Sequence, residues 1–153
     1  MKQKNVLLTF LLLFVYCFSF AQNQKEDDIL SLKKLVEESF QDLFTDLKSE
    51  RIANYYTYDF LLIENGEIWN NDSVRNYLEK ARLRTPKSKR ENKFDFFNIE
   101  IQENIAWVSY FNTAIFTTEN FPPRIINWME TVIAVKTEDG WRIKLLHNSS
   151  GKE

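Results

Sequence analysis

The sequence predicts an α+β domain in which a long amphipathic helix lies against a curved antiparallel sheet. Three observations predict it: a helix-spaced apolar face near the N-terminus, an Asn-Gly hairpin signal in the middle, and four long strand-like segments filling the C-terminal part. At 153 residues the chain has the size of one domain, large enough to bury a core without covalent staples. Hydrophobic residues make up 44% of it, which argues against a disordered chain, and a formal charge of −2 supplies no field that would gather nucleic acid.

The first segment reads as a leader. Lys2 and Lys4 precede an apolar run from Val6 to Phe20, closed by Ser19-Phe20-Ala21. A charged start, an apolar run too short to span a bilayer and small residues before the cut are the layout of a signal peptide. Residues 1–21 are therefore expected to be removed near Ala21. Residues 22–153 then form a single exported domain, periplasmic or secreted, with no membrane attachment. Cys17 leaves with the leader, so the mature chain has no disulfide and no thiolate metal site. Loss of Lys2 and Lys4 from 20 basic residues, against 22 acidic ones, moves the formal charge from −2 to −4.

Along the mature chain, Ile29, Leu32, Val36, Phe40, Leu43 and Leu47 recur at steps of three and four, one apolar face of a helix over residues 27–49. A short helical turn follows around Arg51 to Tyr56. Phe60-Leu61-Leu62-Ile63 and Ile68-Trp69 flank Asn65-Gly66, a pair that accepts the positive φ angles of a tight hairpin. Asn71 and Asp72 offer capping oxygens to a helix in which Val74, Tyr77, Leu78 and Ala81 share a face, ending near Arg84 ahead of Pro86. Thr85 to Lys93 is basic and reads as a solvated loop. Strands are expected over Phe94 to Gln102, Ile105 to Thr118, Arg124 to Val135 and Trp141 to about Ser149, paired as an antiparallel meander. A long, curled sheet with a helix in its concavity leaves a space for a small ligand.

Pro123-Arg124, Glu130-Thr131, Trp141, and His147 with Ser149 recur at spacings similar to those of SnoaL-like proteins and of the association domain of calcium/calmodulin-dependent protein kinase. Asp139 to Ile143 resembles the final hairpin of the same families. By this and its layout the mature chain resembles the nuclear transport factor 2-like superfamily over essentially its whole length. The resemblance implies a cone-shaped sheet with a pocket, often a homodimer formed through the sheet, and functions from isomerases and cyclases to binding or assembly modules. Fold alone does not choose among these. In the kinase association domain arginines line the pocket and receive anions, but the matching places here hold Asn112, Val132 and Asn148, which argues for a neutral ligand.

Glu130 stands in an otherwise apolar row with Ile126, Trp128, Val132 and Ala134. Facing the concavity, its pKa should rise and it would serve proton transfer; paired with Arg142 or Lys144 it would be structural. His147, the only histidine, is a candidate base, although its alternation with Trp141, Ile143 and Leu145 reads as a packed face. Tyr110 and Asn112 put hydrogen-bonding groups on an apolar wall, and Tyr55, Tyr56 and Trp69 are placed to close the wide end. Asp59 falls where the resembled families have an acidic residue. No phosphate loop, zinc motif or nucleophile elbow is present.

The leading expectation is an exported, cofactor-free small-molecule-binding protein whose ligand meets Tyr55, Trp69, Tyr110, Asn112, Trp128 and Asn148. One alternative is a cofactor-independent isomerase, cyclase or dehydratase using Glu130 or His147. The other is a homodimeric assembly module joined through Trp141, Leu145 and His147.

Overall fold

A computed structural model describes residues 24–150, and the expected leader over residues 1–21 lies outside them. The chain divides into two compact units, Met1–Ser31 and Leu32–Glu153. In the first, residues 24–31 are helical. In the second, residues 32–39 are helical and lead into a π-helical turn, Phe40–Thr45. Residues 32–39 form helix α1. Leu32, Leu35, Val36, Phe40 and Leu43 are buried, as their spacing requires. Leu47, at φ 57, ends the helical path.

A 3₁₀ turn at Ser49–Arg51 leads into the single turn α2, Ile52–Tyr55. Strands β1, Tyr56–Glu64, and β2, Glu67–Trp69, form the expected hairpin. Asn65 and Gly66, at φ 50 and 81, take the left-handed conformations that its two-residue turn needs. Helix α3, Asn71–Arg82, buries Val74 and Leu78. Its cap is Asn70, one residue earlier than expected: the Asn70 carboxamide oxygen accepts from Ser73 N–H at 2.9 Å. Asn71 instead reaches back, donating to the Thr57 and Tyr58 carbonyls.

The sheet is completed by β3, Ser88–Gln102; β4, Ile105–Thr118; β5, Arg124–Thr137; and β6, Gly140–Ser150. Its order is β2-β1-β6-β5-β4-β3, so β2 and β3 are open edges. From β3 to β6 the strands form the antiparallel meander that the short turns imply. β1 joins the other side of β6 in parallel, which makes the whole sheet mixed. The basic segment expected to be a loop is shorter than it looked: pairing runs as far as Ser88 opposite Thr118, so Lys89 to Lys93 belong to β3.

Besides a register shift in β1 between Tyr56 and Leu61, two irregularities decide which side chains face the core. β3 has a register shift between Phe96 and Asn98. In β6 the shift is at Lys144, because Ile133 pairs with Leu145 while Ala134 pairs with Ile143. Trp141, Ile143, Leu146 and Asn148 are buried, whereas His147 is exposed. No helix among the described residues is long and apolar enough to cross a membrane.

Candidate functional site

Alternation along β4 and β5 turns one row of each strand toward the concave side. On β4 the row is Ala106, Val108, Tyr110, Asn112 and Ala114; on β5 it includes Trp128, Glu130, Val132 and Ala134. Register sets Tyr110 and Asn148 on either side of Glu130, and Asn112 beside Trp128. Above this floor opens a cavity of about 970 Å³, walled by Phe40, Phe44, Trp69, Tyr77, Phe116 and Trp128 and reaching Glu130 and Asn148.

Glu130 is 2% exposed, and it is not paired with Arg142 or Lys144. Lys144 sits on the bulge and pairs with Asp59 across the sheet. The Asn112 carboxamide donates to Glu130 Oε2 at 3.2 Å. Burial pushes the Glu130 carboxyl up to about 7, against the downward pull of Tyr110, Asn112 and the Arg90 charge. The Tyr110 hydroxyl stands near enough to act on the carboxyl, yet falls short of hydrogen-bond geometry and has no other partner among the described residues. Tyr56 Oη, Asn112 Oδ1 and Asn148 Oδ1 are likewise buried and unpartnered there. Burial raises the pKa of both tyrosines. The cavity thus meets a carboxyl able to exchange its proton near neutral pH beside one polar group, Asn148, whose oxygen is unpartnered among the described residues; the other unfilled groups lie beneath its wall.

Arg90 enters the same cavity from β3. Its guanidinium carbon lies 5.6 Å from the Phe40 ring and 5.4 Å from each of the Phe44, Phe116 and Trp128 rings. The π-helical turn supplies Phe40 and Phe44, whose rings are 5.3 Å apart. Arg90 Nε donates to Asn92 at 2.9 Å, and burial lowers its pKa while the Glu130 charge raises it.

Of the residues singled out in the sequence, Trp69, Trp128, Glu130 and Asn148 line the cavity. Tyr110 and Asn112 are fully buried and do not line it; Asn112 is bonded to Glu130 and Tyr110 stands beside it in register. Tyr55 does not close the wide end. Its hydroxyl donates to Asp42, which also holds Lys48 and Arg51 at 2.9 Å each. Burial and the Asp42 bond push Tyr55 up to about 12, as expected of a phenol fixed to a carboxylate. His147 and Leu145 lie on the outer face, because the bulge at Lys144 reverses the alternation that Trp141 and Ile143 begin. Arg90 was missed, its period-two pattern with Asn92, Phe94 and Phe96 hidden among charged neighbours. Among the described residues no cluster of His, Cys, Asp or Glu is arranged to hold a metal ion.

No protein-family model matches the sequence, and no curated protein is similar to it. Solved structures are. A protein of unknown function from Mycobacterium tuberculosis superposes with a TM-score of 0.72 at 16% identity, over 86% of this chain and 76% of that one. An NTF-2-like protein of unknown function from Silicibacter pomeroyi gives 0.61 at 14%, over 83% and 98%. A scytalone dehydratase-like protein from Novosphingobium aromaticivorans gives 0.63 at 16%, over 83% and 89%. The chain has the nuclear transport factor 2-like, SnoaL-like fold.

Proposed function

We propose that this chain, a nuclear transport factor 2-like fold around an aromatic cavity, is an exported protein that binds a small molecule against Trp69, Trp128, Glu130 and Asn148. The observation that carries the reading is the cavity itself. About 970 Å³ of space walled by aromatic rings, with one buried carboxyl at its floor, has the size and composition of a small-molecule site. Export rests on the leader-like residues 1–21. On this reading the chain also pairs with a second copy through the outer sheet face, where Phe97, Phe111 and Met129 are exposed.

Glu130 favours a second reading, in which the bound molecule is also transformed. A carboxyl with a pKa of about 7 is suited to moving a proton, the step that an isomerase, cyclase or dehydratase requires. That one structural neighbour is dehydratase-like is compatible with this reading. His147, on the other face of the sheet, takes no part in it.

Native mass spectrometry of the mature chain isolated from its own compartment tests the first reading. The expected spectrum shows a chain beginning at Gln22 and carrying extra mass, which Trp128→Ala removes or reduces. A ligand kept by that variant would remove the cavity as its site. For the second reading, Glu130→Gln should retain the extra mass but abolish its conversion.

A further inference from the structure

We propose that the cavity selects an aromatic monocarboxylate, whose carboxylate is received by the two Nη groups of Arg90 while its ring lies against the aromatic wall. The inference rests on the reading of the cavity as a ligand site and specifies the ligand's chemistry.

Arg90 carries the argument. Its guanidinium is half-buried among four rings, and its hydrogen bond within the protein uses Nε alone. The Nη groups have no acceptor among the described residues, so a forked donor of the geometry that fits a carboxylate is left for a ligand. Glu130 senses the Arg90 charge, yet no ion pair joins the two among the described residues. Glu130 and Glu64 act on the guanidinium only through space, so a direct acceptor for its Nη groups is left to something that enters the cavity.

The rest of the wall has the same bias. Arg84, Lys87 and Arg124 also line it, whereas Asp46, one of its acids, is bound to Lys48 at 2.7 Å. Glu64 and Glu130 remain. A cationic surplus around a cavity, in a chain of negative formal charge, is local and points to an anion. Glu64 and, once ionised, Glu130 offset part of that surplus, which favours a single negative charge over a dianion such as a phosphate monoester. Flat rings on several sides favour a planar apolar body behind it. The neutral ligand expected from Asn112, Val132 and Asn148 followed from the absence of arginine at those places, and Arg90 brings one in from a different strand.

Matched acids and amides test this: benzoate with benzamide, cinnamate with cinnamamide, and naphthoate with naphthamide, titrated at neutral pH into isotope-labelled mature chain and followed by NMR. At least one acid should bind about tenfold more tightly than its amide and move the Arg90 Nε resonance. In Arg90→Gln the two should bind within about twofold of each other. Arg90→Lys, which keeps the charge and loses the fork, should fall between. Should Arg90→Gln fail to fold, the acid-to-amide ratio of the unaltered chain decides alone. Amides that bind as tightly as acids at the cavity residues would overturn the anion selection and leave the ligand site standing. If no member of any pair perturbs those residues, both the selection and the site fall.

Discussion

At the scale of single residues, Glu130 gives the clearest consequence. Its carboxyl ionises normally near 4.5 in the unfolded chain, whereas burial holds it up at about 7 in the fold. Below pH 4.5 both states carry the proton and folding is unaffected. As pH rises from about 4.5 to about 7 the unfolded chain releases its proton first, so stability falls, by about 3 kcal/mol in total, and then levels off. Glu130→Gln keeps an acceptor for Asn112 and removes the titration. The variant should match the parent near pH 4 and exceed it in stability above pH 7, which urea unfolding across that range would measure. Parallel profiles for the two proteins would show that Glu130 is not held in its uncharged form. The sequence left this residue open between the concavity and a pair with Arg142 or Lys144; alternation along β5, unbroken past it, turns it inward. The direction of His147 was not legible, since one extra residue at Lys144 turns the rest of β6 over and composition gives no sign of it. Arg90 was obscured differently: a charged residue on a strand's inner face looks like solvated loop until its aromatic cage is known.

At the scale of elements, helix periodicity and the Asn-Gly turn were readable because each depends on local geometry. Boundaries were less so. The Asn70-Asn71-Asp72 run offers three capping side chains, and only the path of the incoming chain assigns the cap to Asn70 while Asn71 bonds to β1. Asn70→Ala should therefore cost about 1 kcal/mol in unfolding free energy, since the exposed first turn of α3 loses its acceptor for Ser73 N–H. Asp72→Ala should cost less than half of that, because Asp72 makes no capping bond and acts only through its charge near the helix start. Equal losses in denaturant titrations would return the cap to the position first expected. The parallel contact of β1 with β6 was beyond reach from sequence, for nothing in either strand records which neighbour lies beyond the meander.

At the scale of the whole molecule, the two faces of the sheet differ in what covers them. The concave face from Leu32 onward is occupied by core and cavity. On the outer face, Phe97 and Phe111 lie with ring centroids 5.0 Å apart, and Phe111 is paired in register with Met129. All three are about half exposed, at 52%, 50% and 51%, and Ile125 adds 60% further along β5. An apolar stripe exposed across adjacent strands suits the self-complementary two-fold contact proposed above. Phe111 neighbours Tyr110 and Asn112 in sequence but points away from them, so a charge there should leave the cavity intact. Phe111→Asp is accordingly expected to convert a dimer to monomers in sedimentation while acid-over-amide selection in the cavity stays within about twofold of the parent. A variant that remains dimeric would move the contact to another surface. Monomers that lose selection as well would mean that the two faces of the sheet are coupled, with pairing needed to hold β3 and Arg90 in place.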